Sequence, residues 1–308
     1  MPTEVRPYIP QQITVHLGSP NQAAENVTVS FPDYVKNVAS SEIYPTWEPS
    51  AIRANILAII SFALNRVYTE YYPSRGFPFN ITSSTAIDQK YIHGRDIFEN
   101  ISQAVDTIFN SYIRRRGFIE PLAAKFCNGT TTTCDGLSQW GSQELAQQGY
   151  NSVDILRHYY GDDIELVVNA PVSGVRASYP GFPLRRGMVG ENVIRIQYML
   201  NRISQDYPAI PKIPTPLNGQ FDEATEQAVR RFQQIFSLTP DGVVGSGTWY
   251  KMVFLFVGIT NLSELASEGQ TVYQISYQSS GQLSEGDRGE GVRTIQYLLS
   301  VVAEFYDT

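Results

Sequence analysis

Polar and apolar residues alternate along Ile13-Thr14-Val15-His16-Leu17 and again along Val27-Thr28-Val29-Ser30-Phe31, with Gly18-Ser19-Pro20-Asn21 as a turn between them. A period of two predicts strands within residues 11–36, and it leaves Glu42 where an extended apolar segment runs out. The pattern changes at Pro49-Ser50, two residues suited to the first turn of a helix. Ala51-Ile52, Ala54, Ile56-Leu57-Ala58-Ile59-Ile60 and Phe62-Ala63-Leu64 are apolar on nearly every side, which predicts a buried central helix over about 49–70. Ile101, Val105, Ile108 and Phe109 predict a second helix over about 99–112. The intervening residues 73–96 are rich in Pro, Gly, Ser and Thr and read as loops with short strands. A strand-like segment around Pro121–Phe126 leads into a Gly/Thr-rich turn, followed by helices over about 142–148 and 151–160. Strands first, helices between them and a split sheet predict an α+β domain.

Residues 170–183 are rich in Pro and Gly, and beyond them the pattern is helical. Val193, Ile196, Leu200 and Ile203 share one face, as do Ala228, Val229 and Phe232 after a helix start at Asp222, and Thr248-Trp249 opens a third helix with Met252 and Val253 inward. The stretch from Gly187 to Leu200 recurs from Gly286 to Leu299. The expected division is therefore an α+β domain over 1–171, a linker over 172–184, an all-α three-helix domain over 185–258, a linker over 259–283, and the first helix of a truncated second copy over 284–308.

The chain has 308 residues, 42% hydrophobic and 17% charged, which suits two folded domains rather than a disordered polymer. A net charge of −7 gives no indication of affinity for nucleic acid or anionic membrane, and no apolar run is expected to reach membrane-spanning length. The first seven residues contain no signal-peptide core. Nineteen tyrosines, with many Asn, Gln, Ser and Thr, hint at surfaces that bind polar ligands such as sugars.

Candidate chemistry gathers at two places. Glu42 lies among Ile43, Tyr44 and Trp47, beside the start of the predicted central helix. Partial desolvation there would hold its proton more tightly than in water, as a general acid needs; the plainer reading is a helix cap or strand end. Cys127 and Cys134 flank a turn and have three readings: a small disulfide, a reduced pair, or a zinc site completed by His93 or His158. Ser138 and Gln139 follow as a hydroxyl and an amide at a loop-to-helix turn, able either to hold a sugar or an acid or simply to cap the helix.

Several ordered motifs resemble known families. Gly187-x-x-Gly190-x-x-Val193 before Ile196-Gln197-x-x-Leu200 is followed by Gly219-Gln220-Phe221-Asp222-x-x-Thr225, then Ala228-Val229-x-x-Phe232-Gln233, then Asp241-Gly242-Val243-Val244-Gly245-x-x-Thr248-Trp249. Residues 187–252 thereby resemble the small peptidoglycan-binding domain common on bacterial wall hydrolases. The resemblance implies a three-helix bundle that docks on wall glycan or stem peptide. Phe232 and Trp249 are expected in its core, and Asp241-Gly242 in an exposed contact loop.

Residues 10–165 resemble the stage II sporulation protein D family of lytic transglycosylases. The match rests on Asp33-Tyr34-Val35-x-x-Val38-Ala39-x-x-Glu42, on Trp47-x-x-x-Ala51-Ile52-Arg53-Ala54 with Phe62-Ala63-Leu64, on Gln103-Ala104-Val105-Asp106 with Tyr112, and on Leu137-Ser138-Gln139-Trp140-Gly141 with Leu145-Ala146, Gly149-Tyr150, Ile155-Leu156 and His158-Tyr159-Tyr160. Thr133-Cys134-Asp135-Gly136 stands where many members carry His-Gly-x-Gly, and Ile59-Ile60-Ser61-Phe62 where the central helix carries Ala-Arg-Thr-Tyr.

The resemblance implies that Glu42 is the catalytic acid, with Ser138 and Gln139 in the site and Tyr44, Trp47 and Trp140 as substrate-binding side chains. The implied reaction cuts glycan strands between N-acetylmuramic acid and N-acetylglucosamine, using the muramyl C6 hydroxyl as internal nucleophile, so no cofactor is required. Some relatives hold a metal near the cysteine turn, which keeps Zn2+ on Cys127, Cys134 and His93 open as a structural ion. The competing readings are a zinc-dependent amidase or peptidase and a non-catalytic amidase enhancer. The expected partners are peptidoglycan strands and a partner amidase, with no nucleic acid and no membrane span. The expected location is the cell wall, the extracellular space or the spore.

Overall fold

A computed structural model of the chain describes residues 7–271. They form two compact units: residues 7–177 together with Thr260–Gly269, and Ser178–Ile259. The second copy expected over 284–308 lies outside the described residues.

The first unit mixes helices with small sheets. Strands β1 (Ile9–Pro10), β2 (Gln12–His16) and β3 (Asn26–Ser30) lead into helices α1 (Phe31–Glu42) and α2 (Pro49–Tyr68). After β4 (Ile81–Thr82) and α3 (Glu99–Ile108) come β5 (Tyr112–Arg115), β6 (Phe126–Cys127) and β7 (Leu137–Ser138). Helices α4 (Gln139–Gln147) and α5 (Ser152–Tyr160) and strands β8 (Ile164–Val167) and β9 (Val172–Ser173) complete the unit. β2 pairs antiparallel with β3, Ile13 opposite Val29, and parallel with β4. The remaining strands pair two by two, β1 with β9, β5 with β8 and β6 with β7.

Helices α1, α3, α4 and α5 and strands β4 and β5 pack against α2. From Ala51 to Val67 only Arg53 is exposed. By length and composition Pro49–Arg75 is apolar enough to cross a membrane, contrary to the expectation of no such stretch; 89% of its apolar window is buried within the structure, as in a core helix. The few polar residues of α2 each fasten a different neighbour. Asn55 donates to Ser142 Oγ of α4 at 2.8 Å, and Ser61 Oγ accepts the Ile113 amide of β5 at 2.9 Å. Asn65 donates to the carbonyls of Pro121 and Leu262, each at 2.8 Å. Arg66 pairs with the buried Asp88 at 3.0 Å. A buried polar group without a partner costs free energy, so these positions dictate which segments surround the helix.

Two expectations need correction. The segment after Ser30 is helical, where strands were expected through residue 36 and Glu42 at the end of an extended run. The signal is local: Ser30 Oγ accepts the Asp33 amide as an N-cap, Pro32 suits the first turn, and Phe31, Tyr34, Val35, Val38 and Ala39 recur at helical spacing and are fully buried. The second correction concerns Thr260–Gly269, expected within a linker but packed into the first unit. Leu262 is buried there, Ser263 Oγ bonds Thr69 Oγ1 at 3.2 Å, Glu264 pairs with Lys125, and Ser267 donates to Glu120 at 3.1 Å.

The second unit contains α6 (Glu191–Asp206), α7 (Glu223–Ile235) and α8 (Ser246–Ile259). Its core holds Val193, Ile196, Leu200, Ile203, Ala228, Val229, Phe232, Trp249 and Met252. Two glutamines inside this core shape the connections. Gln197 accepts the Gly219 amide at 3.0 Å and donates to the Gln220 carbonyl and Thr225 Oγ1. Gln233 repeats the arrangement, accepting the Gly242 amide at 2.9 Å and donating to the Val243 carbonyl, Asp241 and Thr248.

Candidate active site

Glu42 is the last residue of α1 and is half-buried. Both carboxylate oxygens are held: Oε1 accepts the Lys90 backbone amide at 2.9 Å, and Oε2 accepts the Gln139 side-chain amide at 3.2 Å. One donor comes from the loop before α3 and the other from the first turn of α4. The acid thus sits where three separate stretches of chain converge.

Gln139 is almost wholly buried, and its position is fixed through α4. Ser142 Oγ donates to the Gln139 carbonyl at 2.6 Å and receives Asn55 from α2. The Glu48 amide donates to Gln143 at 2.9 Å, tying α4 to the start of α2. Ser138 performs the capping task that sequence left open, its Oγ accepting the Gly141 amide at 3.0 Å. Tyr159 also reaches Ser138; burial raises the Tyr159 phenol above its usual range, partly offset by that hydrogen bond. The packing is close: a Cβ on Gly141 would meet the Tyr159 hydroxyl, and one on Gly129 would meet Ser138 Oγ.

Three aromatic side chains close one flank. The ring centroids of Tyr44 and Trp140 are 5.6 Å apart, Tyr44 and Trp47 5.8 Å, and Trp47 and Trp140 5.1 Å. Trp47 is buried, whereas Tyr44 and Trp140 are 55% and 36% exposed. A buried indole thus backs two rings that remain open to a ligand.

Residues 88–100 form the other flank, bound along α1 by side chains that the sequence pattern did not single out. Asn37 exchanges two hydrogen bonds with the backbone of Ile92, at 2.7 and 2.9 Å. The buried Tyr34 donates to Gln89 at 2.9 Å and stacks on Tyr91, whose ring in turn faces His93. Burial, then the Asp88 and Glu42 charges, raise the Tyr34 phenol well above its usual range. Asp88 anchors the start of the loop by accepting from Arg66, Tyr72 and both the amide and hydroxyl of Thr82. No periodicity announces such a loop; the sole sequence-level signal is the density of polar residues on an otherwise apolar α1–α2 pair.

Cys127 and Cys134 form a disulfide. This corrects the tentative zinc set of Cys127, Cys134 and His93, because joined sulfurs carry no thiolate to hold a metal, and His93 belongs to the loop along α1. Among the described residues, no three His, Cys, Asp or Glu side chains group as a metal site. The disulfide closes the loop whose Asn128 carbonyl accepts the Trp140 amide at 3.2 Å, so it braces the aromatic flank.

In the second unit Asp241 is exposed, and its Oδ1 accepts from the Val243 amide and from Gln233. Those bonds, the Val243 amide first, pull its carboxyl below the usual carboxylate range. Gly242, expected as a contact, is buried: its φ of 75° and its contact with Arg230 and Glu226 make it a loop-former.

Residues 189–252 match the family model described as "Putative peptidoglycan binding domain". No curated protein matches the chain. The chain therefore carries a peptidoglycan-binding domain, consistent with association with the cell wall.

Proposed function

We propose that the protein is a peptidoglycan glycan-strand lyase of the stage II sporulation protein D type, brought to the wall by residues 189–252. The observation that carries the reading is Glu42, held on both oxygens, one of them by Gln139, the chain neighbour of Trp140, whose exposed ring packs with that of Tyr44. Aromatic faces stack on the apolar faces of pyranose rings, so exposed Tyr44 and Trp140 supply a sugar platform on the chain segments that also carry Glu42 and Gln139.

The chemistry asks for a single acid. Glu42 protonates the glycosidic oxygen as the bond to the muramyl anomeric carbon breaks. The C6 hydroxyl of the same sugar then attacks that carbon, and the Glu42 carboxylate takes the hydroxyl proton, restoring the acid. No water needs activation, so a second carboxylate is unnecessary. Each carboxylate oxygen has a lone pair beyond the one facing its N–H donor, which leaves room to carry the proton. Gln139 and the Lys90 amide keep the carboxylate from rotating, and buried Trp47 supports the platform. No step is routed through zinc, because the donor set does not suit it.

Digestion of purified sacculi tests the proposal. Release of 1,6-anhydro-muropeptides is expected, and new free amino groups on intact glycan would instead indicate an amidase.

A further inference from the structure

A cation is fastened to Ser41, the chain neighbour of Glu42, with no ion pair among the described residues. Arg95 is half-buried in the loop along α1, with Nη1 donating to Ser41 Oγ at 2.9 Å and Nε to the Asp96 carbonyl at 3.1 Å. Its guanidinium lies 5.6 Å from the centroid of the exposed Phe98 ring. Of the five N–H donors of a guanidinium, the remaining three have no protein acceptor among the described residues. Nor does Arg95 form an ion pair with any described carboxylate, although Ser41 is the neighbour of Glu42 in the last turn of α1.

A brace for the loop would be the plain explanation, yet the loop is already fastened without it. Asn37 holds Ile92, Tyr34 holds Gln89, Ser40 Oγ accepts the Phe98 amide at 3.3 Å, and Asn100 donates to the Pro45 carbonyl at 2.6 Å. What Arg95 adds is a planar guanidinium oriented by two hydrogen bonds, whose Nη2 and second Nη1 hydrogens are left to meet a carboxylate.

We propose that Arg95 is a specificity-determining contact that binds a carboxylate carried by the sugar seated at Glu42. The inference rests on the glycan reading of this site. Two chemical sources exist: the lactyl carboxylate of a muramic residue without its peptide, or a carboxylate of an attached stem peptide.

The test measures binding by the full-length chain in a Glu42→Gln background, so that no ligand is consumed. The probes are peptide-free wall oligosaccharide, the same oligosaccharide with its carboxyl groups reduced to alcohols, and a peptide-bearing muropeptide. Adding Arg95→Gln is expected to weaken the carboxylate-bearing ligand roughly tenfold, as loss of a charge-assisted fork does. The reduced oligosaccharide should bind equally with or without Arg95, a result that a structural brace would not produce. Titration calorimetry resolves any site on the wall-binding unit as a separate class that is the same in both variants, and only the remaining class is compared. Loss on the peptide-free oligosaccharide identifies the lactyl group, and loss on the muropeptide alone identifies the stem peptide. Arg95→Lys, which keeps the charge but not the fork, should recover only part of the affinity. Equal loss on the reduced and unreduced oligosaccharides, no effect of Arg95→Gln, or no binding to any probe overturns the proposal. Carboxylate-dependent binding in a protein whose wild type releases no anhydro product would retain Arg95 and sink the cleavage reading.

Discussion

Gln139 donates its side-chain amide to Glu42 at 3.2 Å across 97 positions of sequence, joining the first turn of α4 to the last turn of α1. If Glu42 is the acid, this bond sets its orientation. Gln139→Ala is expected to lower anhydro-muropeptide release by on the order of tenfold, since a small misplacement of a reacting group is costly. Wall binding should be unchanged. Product release at the wild-type rate would show that Gln139 is only a packing residue.

The disulfide loop supports Trp140 from outside. Replacing both cysteines by serine removes a short loop closure, about 2.5 kcal/mol in the chain-entropy picture. Hydrogen exchange at the Trp140 amide, which bonds the Asn128 carbonyl, is expected to rise ahead of exchange in α2. Unaltered protection at that amide would contradict the bracing role.

Much of this arrangement is legible in the sequence, and the part that is not has a physical cause. The central helix, the Ser138-Gln139 turn and the Tyr44, Trp47 and Trp140 side chains stand out by pattern and motif, and the structure brings them together around Glu42. α1 is missed because Val27 to Phe31 carries a strong two-residue alternation that runs straight into a helix cap at Ser30. The Lys90 contact is invisible because a backbone amide has no side-chain identity. Asn55, Gln143 and Asn37 look like ordinary polar residues until their distant partners are known. Nothing local marks Thr260–Gly269 as part of the first unit, for its partners Asn65, Thr69 and Glu120 lie far back in the chain.

That returning segment leads to a stability prediction. Leu262 is 2% exposed, and its carbonyl accepts from Asn65 of α2. Leu262→Ala should cost about 2–5 kcal/mol, the usual range for emptying a buried leucine site. Denaturant unfolding followed through Trp47 and Trp140 is the measurement, and the loss should fall on the first unit. Unchanged unfolding of that unit would mean the segment is merely laid against it.

Alkaline pH should act on the same unit. Burial first, and then the Asp88 charge for Tyr34 and Tyr72, raises the phenols of Tyr34, Tyr72 and Tyr160 above their ordinary range. A raised folded-state pKa means the folded chain holds its proton more tightly than the unfolded one. The associated stability is fully present below the ordinary tyrosine pKa of about 10 and is lost as pH rises beyond it. Thermal midpoints of the first unit should therefore fall steeply above about pH 10. Tyr72→Phe should flatten that fall, and an unaltered slope would contradict the assignment.

Digestion of purified sacculi by wild type and by Glu42→Gln tests the central claim most directly. The account predicts 1,6-anhydro-muropeptides from the wild type and none from Glu42→Gln, with both proteins bound to the wall to the same extent. Equal product from the two, or none from either, would contradict it.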